Sequence, residues 1–343
     1  MSVRDHAATK DDIRQFREAV AGFLGTNNSD LPPAPDASWR MQWSALADLG
    51  ITSLCVAEAH GGLGDQVEVA IATARELGAA LHGSPYAGLI TASHALSRAS
   101  GAGAGVSEVV AGIASGDVIC AFGRSDVRSG TAHFVDGVPG AHALLLSDTG
   151  DGTLLLLDDP TAWVASACGS MFDVSRSCSD LTFDPASGQS LAPQPGSTQM
   201  FGLLLAADAL GGAERSLARM VSYASDRLAF GKAIGGFQAV QHRLADHAVR
   251  LRGMAILIDE AALALSAGDP SASRRILVAE ASVSGGVTHI LHDLLQLTGA
   301  IGFTWEYGLH YFERRAHVDA LLASNPRRAT QALAAQEGWL DAI

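Results

Sequence analysis

The sequence predicts an α+β protein whose 343 residues form a helical region, a small β region and a second helical region. Two observations predict this order. Short apolar runs separated by Gly, Asp, Pro and Ser are confined to about residues 117–196, which is typical of strands and turns. The segments on either side are long, apolar and poor in Pro, and the last of them predicts a bundle of four helices. We therefore expect three domains: 1–116, 117–196 and 197–343.

The spacing of apolar residues predicts the helices of the first domain. Four apolar residues of the segment 11–24 lie three or four positions apart and so share one helix face: Ile13, Phe16, Val20 and Phe23. Further helices are predicted at Trp39–Leu49, Val67–Leu81 and Ala87–Ala99. Prolines predict a loop over Asn27–Ser38. Gly101–Gly105 is also predicted to be a loop, because it lacks the preceding strand and the full spacing of a dinucleotide-binding turn.

The middle region is predicted to be a small, mostly antiparallel β domain of roughly eighty residues. Its apolar runs, which predict the strands, are Val118–Phe122, Ala143–Ser147, Leu154–Leu157 and Trp163–Ala165.

Two segments of the last domain are rich in glycine. In residues 227–246 we expect the end of one helix, a Gly-rich turn and the start of another helix, with Arg227 and Gln238 on either side of the turn. A guanidinium group is a planar set of donors suited to phosphate oxygens. The second segment closes a helix predicted from about Ser273 to Leu297 and ending at Gly299, which can adopt the left-handed conformation of a helix C-terminus.

Charge and hydropathy restrict the partners of this chain. The net charge of −13 repels a phosphate backbone, so we expect no nucleic acid partner. The polar N-terminus has no apolar signal core and no apolar run is long enough to cross a bilayer, so a cytoplasmic protein is expected. Charged residues make up only 17% of the chain and apolar residues 48%, which favours burial of part of the surface in an oligomer.

Motifs for metal binding and nucleophilic catalysis are missing from the sequence. The four cysteines lie far apart without a CxxC pair, which argues against a zinc site and a disulfide framework. His289 and His292 lie three residues apart beside Asp293, but nothing nearby completes a set of ligands, so no metal is expected. The sequence also has neither a GxSxG elbow nor a P-loop.

The two glycine-rich segments resemble the acyl-CoA dehydrogenase family. Four steps of the first match the family pattern: Arg227, Phe230-Gly231, Phe237-Gln238 and Ala245-Asp246. The second reads Gln296-x-x-Gly299-Ala300-x-Gly302 against the family's Gln-x-x-Gly-Gly-x-Gly. Near the N-terminus, Glu58-x-x-Gly61-Gly62-x-Gly64 and Glu76-Leu77-Gly78 match further landmarks. The resemblance covers nearly the whole chain and implies the family fold, with a degenerate barrel in the middle.

The resemblance implies a site for FAD, which in this family is held mainly by a neighbouring subunit. Arg227 is then expected at the flavin pyrophosphate. The adenosine side would be lined by Phe230, Phe237 and Gln238, and the matching turn would consist of Gln296, Gly299 and Ala300. For each of these residues the alternative is a role in helix packing or capping.

The departures from the family concern the flavin ring and the catalytic base. Of the family's segment that contacts the ring and the thioester, only Ser125-Asp126 is retained, within the stretch 121–126. The reaction needs a carboxylate beside the α-carbon of the acyl group. Ala323 and Phe201 stand near the two places where family members carry that Glu. Asp208 is a candidate for a relocated base, and its alternative is a residue of the helix surface or of a polar network.

These losses favour a subunit that serves the flavin of a neighbour. We expect a non-catalytic subunit of a heteromeric, FAD-dependent acyl-CoA dehydrogenase, in an α2β2 assembly with a homologous catalytic subunit that makes most contacts to the acyl-CoA. The resemblance to steroid-degrading members implies a steroid side-chain substrate. Two alternatives stay open: a homomeric flavin dehydrogenase with a relocated base, and a structural homologue without flavin.

Overall fold

The computed structural model describes residues 9–27, 38–99, 103–168, 172–194, 196–323 and 326–339. It confirms the predicted α+β fold with a sheet region between two helical regions. The chain forms two compact units. Among the described residues, one unit holds those numbered up to 20, from 38 to 73 and from 83 to 201, and the other holds 21–27, 74–82 and 202 onwards. No helix in these ranges is long and apolar enough to cross a membrane.

Five helices precede the sheets: α1 (Lys10–Asn27), α2 (Ser38–Asp48), α3 (Val67–Ala79), α4 (Tyr86–Ser97) and α5 (Ala104–Ser115). The first four agree with the predicted helices to within a few residues. The loop predicted over 101–105 is wrong at its end, because α5 begins at Ala104, and residues 101–102 lie outside the described ranges. Residues 28–37 of the predicted proline-rich loop also lie outside them. The signal for α5 is its buried face: Val106, Val109, Val110 and Ile113.

The β region has seven strands: β1 (Cys120–Ser125), β2 (Thr131–Asp136), β3 (Ala143–Asp148), β4 (Leu154–Leu157), β5 (Trp163–Ala167), β6 (Cys178–Phe183) and β7 (Gln189–Leu191). They form two sheets, in the orders β1-β3-β4-β7 and β2-β6-β5. Only the β1–β3 ladder is parallel, so the mostly antiparallel prediction holds. Side chains from both sheets share one core, which includes Leu144, Leu146, Leu155 and Leu181. Within the described residues the sheets do not close into a barrel.

The second unit consists mainly of helices: α6 (Ser197–Asp226), α7 (Gln238–Ser266), α8 (Ala272–Thr298), α9 (Leu309–Ala323) and α10 (Pro326–Gln336). The first residues of α6 belong to the other unit. The four long helices fit the predicted bundle, and α10 is a short addition. Strands β8 (Leu228–Ala229) and β9 (Lys232–Ala233) stand where the sequence predicts only a Gly-rich turn. The buried face of α8 includes Ile276, Val283, Val287 and Ile290.

The end of α3 crosses α6 at very short range. A Cβ atom on Gly78 would lie 2.0 Å from the carbonyl oxygen of Asp208, and one on Gly211 would lie 1.8 Å from that of Arg75. Both distances are shorter than any real carbon–oxygen contact, so only glycine fits at this crossing. Arg75 and Glu214 form an ion pair beside it. This crossing fixes the part of α6 that carries Asp208.

Candidate functional site

A β-hairpin joins α6 to α7. Leu228 pairs with Ala233 and Ala229 with Lys232, so the turn consists of Phe230 and Gly231. Both turn residues have positive φ, +51° and +81°, as a two-residue type I′ hairpin turn requires. A positive φ is unusual for Phe. The turn places the Phe230 ring at the tip of the hairpin, where the residue is 97% exposed.

Contacts within the hairpin fix a second ring and a cation below this tip. The Phe237 ring meets the Phe230 ring edge to face, with 6.3 Å between ring centroids. Lys232 places its Nζ 4.2 Å from the centroid of the Phe237 ring and donates a hydrogen bond to the Gly236 oxygen at 3.0 Å. Gln238 then begins α7 and is exposed. The rings of Phe230 and Phe237 therefore border one exposed surface.

Arg227 lies at the base of the same hairpin. Its backbone oxygen accepts a hydrogen bond from the Ile234 nitrogen at 2.8 Å, which closes the hairpin. Its side chain is exposed and forms no ion pair with any described residue. A guanidinium group in this position is available to an external anion.

The second part of the candidate site is the turn that ends α8. Gly299 caps the helix with φ +75°, and its N–H donates to the carbonyl oxygens of Leu295 and Gln296. An added Cβ at Gly299 would meet no atom within 4 Å, so the space in front of this backbone is open. Gln296 and Ala300 are exposed beside it, and Gly302 is buried against Thr298.

The structure thus places the seven candidate flavin residues in two groups of the second unit. Four lie in and beside the hairpin (Arg227, Phe230, Phe237 and Gln238), and three lie in the turn after α8 (Gln296, Gly299 and Ala300). Sequence reasoning missed Lys232, because its contact with Phe237 depends on the hairpin. It also missed the role of Asp293, which binds α7 from α8.

Asp293 forms ionic hydrogen bonds with two side chains of α7. Arg243 donates to Asp293 through Nε at 2.9 Å and through Nη2, and His247 Nε2 lies 2.7 Å from Asp293 Oδ2. Partial burial acts to raise the pKa of Asp293, but the bonds from Arg243 and His247 outweigh it and lower that pKa. Asp293 therefore stays ionised and binds α7 through charge-assisted hydrogen bonds.

The hairpin and the turn have the chemistry that the adenosine and pyrophosphate parts of FAD require. Exposed aromatic rings offer apolar surface to an adenine ring. The Arg227 guanidinium can bind pyrophosphate oxygens in a bidentate manner. The open space at Gly299 allows a ligand to approach the backbone closely. The residues present therefore fit this group.

The two places at which a catalytic Glu is expected hold no carboxylate. In the first unit, the Phe201 ring is buried and packs against Phe122 with 5.0 Å between centroids. In the second unit, Ala323 ends α9 and lines a pocket of about 300 Å³, part of which is open to solvent. The pocket lies between α6, α8 and α9 and is mostly apolar, but it includes the buried Glu280 and Asp319. Glu280 fills the space beside Gly202, where a Cβ would lie 1.8 Å from its Oε1.

Asp208 lies in a buried ionic cluster. Arg315 donates to both carboxylate oxygens of Asp208 at 2.8 Å and to the backbone oxygen of His82 at 2.9 Å. All three residues are at least nine-tenths buried. Burial, reinforced by the charge of Arg315, lowers the pKa of His82 to about 3. This geometry favours the polar-network interpretation of Asp208 over the role of a base.

The candidate positions of the first unit have mainly local contacts. Asp126 caps the short turn after β1 by accepting a hydrogen bond from the Arg128 nitrogen at 3.1 Å. The Ser125 hydroxyl is buried and has no hydrogen-bond partner among the described residues. Gly62 allows its loop to approach residue 56, since a Cβ would lie 2.1 Å from the Val56 oxygen. The ranges that the structure describes contain no group of three His, Cys, Asp or Glu side chains placed to hold a metal ion.

Sequence comparisons agree along the chain. A family model described as "Acyl-CoA dehydrogenase, C-terminal domain" matches residues 199–323. Acyl-CoA dehydrogenase IpdE2 of Mycobacterium tuberculosis (strain ATCC 25618 / H37Rv) is 30% identical over 332 residues, which cover 94% of this chain and 96% of that protein. IpdE2 of Mycolicibacterium smegmatis is 28% identical over 94% of this chain and 97% of its own length.

Solved structures share the fold. The "Tcur3481-Tcur3483 steroid ACAD G363A variant" has a TM-score of 0.84 at 22% identity and covers 97% of this chain and 99% of that one. A chain of the ChsE4-ChsE5 complex from Mycobacterium tuberculosis has a TM-score of 0.80 at 21% identity, with the same coverage. At these identities the likeness concerns the fold alone.

Proposed function

Because this chain belongs to the acyl-CoA dehydrogenase family, we propose that it is the subunit of a heteromeric, FAD-dependent enzyme that completes a flavin site shared with a homologous catalytic partner. One observation carries the proposal. The hairpin and the turn after α8 expose flavin-binding chemistry that the chain itself does not cover, while both expected base positions lack a carboxylate. We further propose an α2β2 assembly.

The reaction removes an α-proton and a β-hydride from an acyl-CoA thioester. FAD, when bound, accepts the hydride. In this proposal Arg227 binds the pyrophosphate of FAD, and Phe230 and Phe237 contact the adenosine. Gln238 and Gln296 offer amide groups from α7 and from α8 for hydrogen bonds to the ligand. These residues bind and orient, and none of them moves a proton.

The partner supplies the base. Ala323 has no ionisable group and Phe201 is buried against Phe122, so neither position can accept the α-proton. The net charge of −13 does not favour an anionic CoA moiety, which supports a partner that makes most of the CoA contacts.

Two comparisons support the substrate class and the partner. The name IpdE2 is that of an acyl-CoA dehydrogenase, and the titles of two structural neighbours name a steroid ACAD and a two-protein complex. By analogy we propose a steroid-derived acyl-CoA as substrate and a second acyl-CoA dehydrogenase chain as partner.

The test is to express this chain alone and together with homologous dehydrogenase chains from neighbouring genes, and to record the flavin spectrum. We expect little flavin in the chain alone and a yellow, active complex. In the complex, Arg227→Ala should release most of the flavin, whereas Arg128→Ala, which removes an exposed cation of the β region, should not. Stable flavin and dehydrogenation by the chain alone would contradict the proposal, and full flavin retention by Arg227→Ala would favour a structural homologue without flavin.

A second candidate function is desaturation by this chain itself. The observation that favours it is the pocket at Ala323, where Glu280 is a buried carboxylate in mostly apolar surroundings. Buried carboxylates in such pockets are candidates for general bases. The test is Glu280→Gln in the active complex. A loss of acyl-CoA-dependent flavin bleaching with unchanged flavin content supports this function, and unchanged bleaching excludes it.

A further inference from the structure

The first turns of α7 have little packing to hold them in place. Seven of the nine residues 238–246 are exposed, and the other two are half-buried. A segment with so few buried side chains depends on specific polar contacts for its position. Because Gln238 is the first residue of this segment, its position depends on the same contacts.

Those contacts come from Asp293 on α8. The carboxylate binds the Arg243 guanidinium through two hydrogen bonds and His247 Nε2 at 2.7 Å. The His247 side chain is 6% exposed, and its Nδ1 has no hydrogen-bond partner among the described residues. Asp293 therefore holds both an exposed side chain and a buried side chain of α7, one turn apart.

The bond lies close to both glutamines of the proposed flavin site. Arg243 follows Gln238 by five residues, or about 7.5 Å along the helix axis, and Asp293 precedes Gln296 by three, or about 4.5 Å. We propose that Asp293 is a positioning residue that sets Gln238 and Gln296 at the separation which FAD requires. This inference rests on the proposed function and deepens it, because it assigns residues that hold the site without touching the ligand.

The chain contains a matched control for this role. Arg275 and Glu260 form an ion pair at 2.9 Å between α8 and α7, the same two helices. Glu260 follows Arg243 by seventeen residues, or about 25 Å along α7, so it is remote from both glutamines. Substituting Glu260 by Gln removes the same charge and the same kind of bond between the helices, but far from the site.

The experiment compares flavin binding by three forms of the complex with the partner subunit: the wild type, Asp293→Asn and Glu260→Gln. The dissociation constant of FAD is measured by fluorescence, and the melting temperature of each form is recorded. We expect Asp293→Asn to weaken FAD binding about tenfold and Glu260→Gln to leave it within about twofold. Asp293→Glu, which restores the charge, should recover part of the affinity, as a purely steric role would not allow.

Equal FAD affinity in Asp293→Asn and the wild type overturns this inference, and so does an equal loss in Asp293→Asn and Glu260→Gln. If Asp293→Asn does not fold, Arg243→Gln removes the same ion pair from its exposed side and the same outcomes apply. A wild-type complex without flavin overturns the proposed function and this inference with it. A flavin-containing wild-type complex with an unaffected variant overturns the inference alone.

Discussion

Two clusters of the second unit contrast in how completely their own chain satisfies them. The internal cluster consists of Asp208, Arg315 and His82, all buried, with both carboxylate oxygens of Asp208 bound by one guanidinium. The exposed cluster consists of Arg227, Phe230 and Phe237. It leaves an aromatic ring almost fully in solvent and a guanidinium without an ion pair among the described residues.

The difference separates residues that stabilise the chain from residues that await another molecule. Burying an ion pair is costly unless each charge is bound, so the internal cluster must be complete within the chain. Exposed rings and cations carry no such requirement, and they contribute little to stability by themselves. Substitutions in the two clusters should therefore act on different observables, stability in one and ligand binding in the other.

The largest effect is expected in the internal cluster. Arg315→Ala leaves the Asp208 carboxylate buried without its bidentate partner, so the free energy of unfolding should fall by about 3–5 kcal/mol. Urea denaturation measures this value. The control is Arg274→Ala, which breaks the more exposed ion pair with Glu337 and should cost less than about 1 kcal/mol. Equal losses in the two variants would show that burial does not distinguish them.

The next effect concerns the glycine that holds Asp208 in place. A methyl group on Gly78 would lie 2.0 Å from the Asp208 oxygen, so Gly78→Ala forces α3 and α6 apart and should destabilise the protein by about 1–3 kcal/mol. Gly253→Ala is the control, since a Cβ there meets no atom within 4 Å. In the middle of α7 this change should instead add up to about 1 kcal/mol of stability. A stable Gly78→Ala variant would contradict the close crossing.

A smaller effect depends on pH. The folded-state pKa of His82 is lowered to about 3, first by burial and then by the charge of Arg315, whereas the unfolded chain titrates near 6.5. Between these values the unfolded state binds a proton that the folded state does not, so stability falls as pH decreases below about 6.5. We expect His82 to contribute a loss on the order of 1 kcal/mol between pH 7 and pH 5.

Denaturation curves at pH 7 and pH 5 measure this contribution as a difference of differences. His82→Asn should reduce the pH dependence even if it lowers stability at both pH values, whereas a substitution of the exposed His133 should leave the pH dependence unchanged. An identical pH dependence in His82→Asn and the wild type would mean that His82 titrates normally in the folded protein.

Local patterns were sufficient for most elements and for both halves of the candidate site. The apolar face of α8 and the glycine after it predicted the helix and its end, because periodicity and capping are local properties. The helix α5 was missed because glycines at its start suggested a loop. Strand β6 was missed because Ser179, Asp180 and Thr182 interrupt its apolar residues.

The remaining features depend on contacts between distant residues or on unusual backbone. The hairpin between α6 and α7 needs positive φ at Phe230, and sequence rules reserve such turns for Asn, Asp or Gly. The bond from Arg315 to Asp208 joins residues 107 positions apart, and that from Arg243 to Asp293 joins residues 50 apart. No spacing rule relates such residues, so their roles follow only from the fold.

The smallest effect on stability, and the sharpest contrast, is expected for Phe230→Ala. The ring is 97% exposed, so its removal should change the free energy of unfolding of the isolated chain by no more than about 0.5 kcal/mol. In the complex with the partner, the same substitution should weaken FAD binding by about tenfold, since an aromatic contact contributes roughly 0.5–1.5 kcal/mol beyond the area that it buries.

Val164→Ala is the matched control for this last substitution, because it also truncates an exposed apolar side chain, one that is 73% exposed on β5 of the other unit. Flavin fluorescence titration of both complexes gives the two affinities, and urea denaturation of the isolated chains gives the two stabilities. If Phe230→Ala destabilises the isolated chain by more than Arg315→Ala does, the exposed cluster is structural. The distinction between the two clusters then fails. An unchanged stability together with a selective loss of flavin would instead show that this ring is placed in solvent for a molecule that the chain does not itself contain.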